Sequence, residues 1–209
     1  MGTKSALTQR LGVVAGFEDP RVDLEQYHTP PGLAAEIVHL ADLQGDIERR
    51  RVLDLGCGTG MLALGTALRG PRSVIGIDLD RAALEAAVAN ERRVGSTTPV
   101  SWVRADATRP PLAADGPTTV VMNPPFGAQA GNEHADRRFL RAAATLADVS
   151  YSVHNGDSLS FLESFAADNG GRVTQAFAAE CRLPATYEFH AESARTIEVE
   201  VVRIAWADD

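Results

Sequence analysis

The chain has 209 residues, a net charge of −8 and 44% hydrophobic residues, which suits one globular domain over residues 1–209 with a buried core. No apolar run approaches the roughly 20 residues that a membrane span needs, and the N-terminus lacks the pattern of a signal peptide. Cys57 and Cys181 have no metal-like CxxC spacing. The composition therefore predicts a reduced, cytoplasmic protein without a metal site or a membrane anchor, and its acidity argues against general affinity for nucleic acid.

Segments with strand character alternate with helical patterns along the first 170 residues. The strand-like segments are 50–56, 72–80, 100–106, 118–125 and 149–156, and the helical patterns are 60–69, 80–93, 136–147 and 157–168. Such alternation predicts parallel βαβ units and an α/β fold. Two long strand patterns, 172–183 and 195–206, then follow one another and predict an antiparallel pair at one edge of the sheet.

A glycine-rich segment, LDLGCGTG (53–60), joins the first strand pattern to a helix. Glycine permits a tight turn and close approach of the backbone to a ligand. The spacing Gly56-x-Gly58-x-Gly60 differs from the GxGxxG fingerprint of dinucleotide-binding sites. Asp54 would repel a pyrophosphate, and it suits a cationic ligand such as a sulfonium or an amino group.

Acidic residues occur at the ends of three strand patterns: Asp54, Asp78 and Asp106. Open α/β sheets bind ligands at the carboxyl ends of their strands. Asp78 is placed to grip the ribose hydroxyls of a ligand, and Asp106 to reach an adenine amino group. The alternative is that each acid only caps the following helix.

The segment VVMNPPFG (120–127) ends an apolar strand with two prolines. Proline cannot donate a hydrogen bond to a sheet, so the strand stops here. The prolines either terminate the strand as a simple turn or hold a loop of fixed shape.

Taken together, DLGCGTG, IDLD and NPPF resemble the S-adenosylmethionine-dependent methyltransferases that modify the nitrogen of a planar group. A longer match resembles the small-subunit rRNA adenine-N6 methyltransferase family of the methyltransferase-like protein 5 type, from about residue 7 to residue 206. It implies a Rossmann-like class I methyltransferase fold, with a mostly parallel seven-stranded sheet in the order 3-2-1-4-5-7-6 and helices on both faces. The segments that carry this match are 16–38, 123–127, 151–154 (YSVH), 183–190 (LPATYEFH) and 197–204.

The resemblance gives the proline segment a catalytic role. The side-chain oxygen of Asn123 and the carbonyl of Pro124 would accept the two N–H bonds of the target amino group. Pro124 and Pro125 would fix both acceptors before the substrate binds, and Phe126 would offer a face on which the base stacks. A paired adenine would first have to leave its helix.

The resemblance also implies that an N-terminal extension, 1–28, contributes to the site of S-adenosylmethionine. Gln26 and Thr29 would cover its methionine end, and Thr29 also reads as the N-cap of a helix that begins near Pro30 and Pro31. The residues expected to contact the cofactor are Gln26, Tyr27, Thr29, Asp54, Gly56, Thr59, Met61, Asp78, Asp106 and Ala107.

Several surface features suggest how RNA could be held. Arg137, Arg138 and Arg141 lie on one predicted helix and are either phosphate contacts or a solvated face. The loop 127–134 could order over the substrate. Aromatic residues in 187–190 could stack on bases or pack beneath their own loop.

The strand pattern 100–106 is an edge strand in the implied order. Val100 and Trp102 lie on one face of it, which is unusual for an exposed edge. The resemblance implies a partner on residues 100–105, the small zinc-binding methyltransferase activator subunit, joined by strand addition. The alternative is that Trp102 packs beneath the preceding helix.

Two other functions are compatible with the motifs. A protein-glutamine N5-methyltransferase shares the Asn-Pro-Pro segment, although Tyr more often follows the prolines there, where this chain has Phe126. A non-catalytic RNA-binding assembly protein could keep the cofactor fold, but the intact Asn123 argues against it.

Overall fold

Seven strands form one sheet in the order β3-β2-β1-β4-β5-β7-β6. The structure is a computed structural model that describes residues 2–126, 135–184 and 194–206. The strands are β1 Arg51–Leu55, β2 Ser73–Asp78, β3 Val100–Arg104, β4 Thr118–Met122, β5 Val149–Asn155, β6 Arg172–Pro184 and β7 Ala194–Ala205. The helices are α1 Lys4–Leu11, α2 Pro31–Leu43, α3 Met61–Ala67, α4 Arg81–Val94, α5 Ala135–Leu146 and α6 Leu159–Asp168, with a 3-10 turn at Val22–Leu24.

Strands β1 to β5 are parallel, and β7 lies antiparallel between β5 and β6. The predicted fold class and strand order are therefore confirmed. The chain moves outward from β1 to β3 and then returns to the other side of β1 for β4. This reversal opens a crevice at the carboxyl ends of β1 and β4, the place where such sheets bind ligands.

Helices cover both faces of the sheet. Val52 of β1 packs into a core shared with α1, α2 and α3, while the adjacent Leu53 packs into a core shared with α5 and α6. Strand β1 is buried along its whole length; Arg51 at its start bonds to Thr118, and Asp54 lies among the apolar residues that follow. Full burial of one such leucine stabilises the fold by about 1.5–3 kcal/mol, so a charged residue inside this strand points to a function.

Helix α2 begins at Pro31, and Pro30 is the N-cap residue. The prediction of Thr29 as the N-cap is wrong, since no side chain caps this helix. Proline suits the first helical position because its missing N–H would have no partner within the helix and its φ angle is already helical. The hydroxyl of Thr29 is instead engaged with Asn123.

Strand β3 lies at the edge of the sheet, but helix α4 covers its apolar side chains. The indole of Trp102 donates a hydrogen bond to Glu91 at 2.8 Å, and its ring lies over Gly76, where a Cβ atom would be 2.5 Å away. The argument that Trp102 needs a partner to cover it is therefore wrong. The packing beneath the preceding helix was the correct alternative.

Some predictions fall on parts of the chain that the structure does not describe. The loop 127–134 and the aromatic residues of 187–190 lie outside the described residues. Within the described parts, no helix has the length and apolar character needed to cross a membrane.

Candidate active site

A cavity of about 500 Å³ lies at the carboxyl ends of β1, β2 and β4. The predicted site residues that line it are Gln26, Tyr27, Thr29, Asp54, Gly56, Thr59, Met61, Asp78, Asp106, Ala107, Asn123 and Pro125. Pro124 and Phe126 do not line its wall. All ten residues that were predicted to bind the cofactor therefore share one cavity with Asn123.

The glycine segment forms the floor of this cavity. Cys57 N–H donates to the carbonyl of Ile77, and Gly58 N–H donates to Asp78 at 2.8 Å. Gly58 has a φ of +50°, and a Cβ atom there would lie 2.8 Å from the ring of Phe17. Only glycine fits this position without strain, because the left-handed backbone and the close ring both exclude a side chain.

Asp54 is a buried carboxylate in the wall of the cavity, with 1% of its surface exposed. Its Oδ2 accepts a hydrogen bond from Ala63 N–H in the first turn of α3 at 2.7 Å. Burial raises the pKa of Asp54 to about 7, because a low-dielectric environment disfavours the charged form. A cation placed in the cavity would stabilise the ionised carboxylate and lower the pKa of Asp54 again.

Asp78 accepts hydrogen bonds from Gly58 N–H and Asp80 N–H, both at 2.8 Å. Burial raises the pKa of Asp78 as well. Among the described residues, neither Asp54 nor Asp78 forms an ion pair. A buried and a half-buried carboxylate that lack a cation within the described parts of the chain favour a positively charged ligand, so the sulfonium and the ammonium group of S-adenosylmethionine suit this cavity.

Helix capping explains these acids only in part. Asp54 does satisfy a first-turn N–H of α3, but α4 is capped by Asp80, whose carboxylate accepts from Ala82 N–H. Asp106 lies two residues beyond β3 and accepts both from the backbone N–H and from the hydroxyl of Thr108. No helix follows it directly, so its position at the cavity is not explained by capping.

Residues 12–30, here called the N-terminal strap, connect α1 to α2 and border the cavity. The side chain of Gln26 donates to Asp80 at 2.8 Å and accepts from Arg21 N–H. Both ends of this carboxamide are therefore bonded to protein groups, and they hold the strap against the start of α4. Tyr27 donates its hydroxyl hydrogen to Glu25.

Asn123 follows the last residue of β4 and lies opposite the strap. Its Nδ2 donates to the hydroxyl of Thr29 at 3.1 Å. Its Oδ1 is buried and has no hydrogen-bond partner among the described residues. Buried acceptors are nearly always paired in folded proteins, so the geometry leaves one acceptor for a donor that comes from a ligand.

The rings of Tyr27 and Phe126 stack, with centroids 5.5 Å apart and an angle of 19° between their planes. Tyr27 lines the cavity, whereas Phe126 lies behind it and packs against the core on the side of α2. The strap thus covers one face of the residue that was predicted to stack on the base.

Sequence reasoning missed Asn90 of α4, which is fully buried. Its carboxamide accepts from Ala15 N–H in the strap and donates to the carbonyls of Ala15 and Thr59. It therefore ties the strap to the glycine segment. A signal was present in the sequence, because Asn90 lies three residues after Ala87 on the apolar face of α4.

Two further residues of the cavity wall were also missed. Glu25 is buried and has a left-handed backbone conformation, with a φ of +49°. Residues other than glycine seldom adopt this conformation. Phe139, on the buried face of α5, lies over Gly56; the predicted helical pattern 136–147 contains it but did not reveal the cavity.

The three arginines of α5 have different surroundings. Arg137 lies over the ring of Phe161, 4.7 Å from its centroid. Arg138 lines the cavity, and Arg141 is exposed and does not line it. Of these three arginines, Arg138 alone is thus placed to meet a substrate that enters this cavity.

Cys57 and His154 have surroundings that fit structural roles. Cys57 is buried against Gly76, and burial raises the pKa of its thiol, which makes it a poor nucleophile. His154 is buried and bonded to Ser152 at 2.8 Å, and burial lowers its pKa to about 4.

Comparison with known proteins places this geometry in a family. The family model "Methyltransferase small domain" matches residues 35–149. The rRNA N(6)-adenosine-methyltransferase Mettl5 of Drosophila melanogaster is 37% identical over 94% of this chain and 93% of its own. An uncharacterized protein of Methanocaldococcus jannaschii is 36% identical over 96% of this chain and 93% of its own.

A solved structure from Pyrococcus horikoshii, described as a candidate RNA methyltransferase, superimposes with a TM-score of 0.87 at 35% identity and covers 98% of both chains. Other methyltransferases that share the fold have been solved with S-adenosylmethionine or its product bound. The acidic, glycine-floored cavity fits that cofactor. The chain therefore belongs to the methyltransferase small domain family and, within it, to the S-adenosylmethionine-dependent rRNA N(6)-adenosine methyltransferases of the methyltransferase-like protein 5 type.

Proposed function

We propose that the protein methylates N6 of an adenosine in small-subunit ribosomal RNA. The observation that carries this proposal is the buried Oδ1 of Asn123 in the cofactor cavity, which has no hydrogen-bond partner within the described parts of the chain. An exocyclic amino group is the donor that such an acceptor lacks. The relatives whose names specify rRNA N(6)-adenosine methylation support the same substrate class.

The residues of the chain act by positioning. When bound, S-adenosylmethionine supplies an electrophilic methyl group. Asn123 Oδ1 and the carbonyl of Pro124 would hold the two N–H bonds of the target amine, and the proline ring of Pro125 would limit movement of the loop. Asp54 would attract the cationic end of the cofactor, Asp78 would bind its ribose, and Asp106 its adenine. Because Tyr27 lines the cavity and Phe126 stacks behind it, Phe126 would support the stacked base through the ring of Tyr27.

A second element of the proposal is a partner on the edge of the sheet. Among the described strands, β3 has a neighbour on one side only, and an unpaired edge can accept another strand. We propose that the small zinc-binding activator subunit binds here, and that the heterodimer acts in the cytoplasm. Copurification of a one-to-one complex and a higher rate in its presence would support this element; unchanged activity and no complex would contradict it.

The test is transfer of labelled methyl groups to small-subunit rRNA, with and without the activator, followed by nucleoside analysis. N6-methyladenosine should form with the unmodified chain and not with Asn123→Ala, while both proteins bind S-adenosylmethionine equally. Label in a release-factor glutamine, and none in RNA, would assign the protein-glutamine reaction instead. Cofactor binding without transfer to either would indicate a binding protein.

A further inference from the structure

The hydroxyl of Thr29 and the carboxamide of Asn123 bond across the cavity although 94 positions separate them in the chain. We propose that Thr29 is a positioning residue for methyl transfer. By accepting a hydrogen bond from Asn123 Nδ2, it anchors the carboxamide in the orientation that leaves Oδ1 for the substrate amine. This inference rests on the proposed function and adds a residue that acts through Asn123.

The need for such a residue follows from the chemistry of a carboxamide. One end of the group accepts hydrogen bonds and the other donates them, and the two ends have nearly the same shape. An exocyclic amine presents hydrogens, so it can be held only by the oxygen. If the carboxamide of Asn123 turned over, its own N–H bonds would meet those of the substrate and repel them.

The orientation of the Asn123 carboxamide affects the free energy of the folded state even before the substrate binds. A buried acceptor without a partner raises the free energy of the folded state, and Oδ1 is in that state. The bond from Nδ2 to the buried hydroxyl of Thr29 counters this cost. Without that hydroxyl, nothing among the described residues is bonded to either end of the carboxamide.

The position of Thr29 depends on the strap that carries it. Gln26 bonds to Asp80, and Asn90 bonds to Ala15, so the strap is attached to α4 at two points. Gln26 lines the cofactor cavity, and Asn90 also bonds to Thr59, which lines it. A correctly seated strap therefore both closes the cofactor site and orients the acceptor for the substrate.

The experiment compares Thr29→Val with Thr29→Ser. Valine has nearly the shape of threonine but cannot accept a hydrogen bond, so kcat should fall about tenfold. The KM for RNA should stay close to that of the unmodified protein. Because Thr29 also lines the cofactor cavity, any rise in the Kd for S-adenosylmethionine should be smaller than the fall in kcat. Serine keeps the hydroxyl and should restore kcat to within about twofold.

Thr119→Val is the matched control. Thr119 is also buried, its hydroxyl also makes a hydrogen bond, and it lies at the opposite end of the strand that precedes Asn123. Its substitution should lower the melting temperature without lowering kcat. If Thr29→Val does not fold, Thr29→Ala removes the same hydroxyl and serves the same test.

Several outcomes would overturn the inference. These are an unchanged kcat in Thr29→Val, a Thr29→Ser variant as slow as Thr29→Val, or an effect confined to the Kd for S-adenosylmethionine. Failure of the proposed function has a different signature, because the unmodified protein would then transfer no methyl group to RNA, and the inference would fall with it.

Discussion

Tyr27 of the strap lies flat on Phe126, with the two ring centroids 5.5 Å apart. Tyr27 therefore supports Phe126, the residue after the two prolines, on the side of Phe126 that faces the cavity. A stacked aromatic pair contributes about 0.5–1.5 kcal/mol beyond the area that it buries. Tyr27 thus connects the strap to Phe126, as Thr29 connects it to Asn123.

Replacing Tyr27 tests this support. Tyr27→Leu should raise the KM for RNA by up to about tenfold, because the base loses the ring that Phe126 supports. Tyr27→Phe keeps the stack and loses the hydroxyl bond to Glu25, so its KM should stay near that of the unmodified protein. Steady-state kinetics with RNA and calorimetry with S-adenosylmethionine measure both effects. A change confined to the affinity for S-adenosylmethionine would make Tyr27 a cofactor contact alone.

Much of this arrangement could be predicted from the sequence. Strands buried on both faces are continuous apolar runs, so the sheet was recognisable, and acids at the ends of such runs are conspicuous. The direct partners of the site residues were not predictable, because they lie far apart in the chain. Thr29 has the expected sequence position of an N-cap, and only the folded strap brings it to Asn123.

The error at Trp102 has a similar origin. The alternation of side chains between the two faces of a strand correctly predicted that Val100 and Trp102 lie on one face of β3. The pattern could not show that Glu91, on the preceding helix, would accept hydrogen bonds from both the indole and Val100 N–H. Periodicity identifies a face but does not identify what covers it.

The pKa of Asp54 predicts a dependence of cofactor affinity on pH. Because burial raises this pKa to about 7, the carboxyl is mostly protonated at pH 6 and mostly ionised at pH 8. A cationic ligand needs the ionised form, so affinity for S-adenosylmethionine should rise with pH across this range, by up to about tenfold per unit below pH 7. Calorimetry at pH 6, 7 and 8 measures the effect.

Asp54→Asn is the control for this pH dependence. The asparagine cannot ionise, so the variant should bind more weakly and lack the part of the pH dependence that Asp54 causes. Titration of the cofactor's own amino group affects both proteins equally. Parallel curves for the two proteins would show that the charge of Asp54 plays no part in cofactor binding.

The carboxylate of Asp78 is expected to hold the ribose of the cofactor while also anchoring Gly58 N–H. Asp78→Ala removes charge-assisted hydrogen bonds worth about 1.5–3 kcal/mol each, so the Kd for S-adenosylmethionine should rise by at least about tenfold. The KM for RNA at saturating cofactor should change little. Unchanged cofactor affinity would rule out the ribose assignment.

Arg138 should contact a phosphate of the RNA, since it alone of the three α5 arginines lines the cavity. The chain carries a net charge of −8, so long-range attraction to RNA is weak and local contacts must contribute more. Arg138→Gln should weaken RNA binding in all sequence contexts and reduce the slope of log Kd against log salt concentration by about one. Filter binding at several salt concentrations measures that slope.

Arg141→Gln provides the matched control, because it removes the same charge from the same helix outside the cavity. Its salt slope should equal that of the unmodified protein. Equal changes in the salt slope for the two substitutions would mean that α5 attracts RNA by its overall positive charge and that Arg138 makes no specific phosphate contact. An effect of Arg138→Gln on S-adenosylmethionine affinity, with RNA binding unchanged, would assign the guanidinium to the cofactor carboxylate instead, since both ligands present the anionic oxygens that arginine binds.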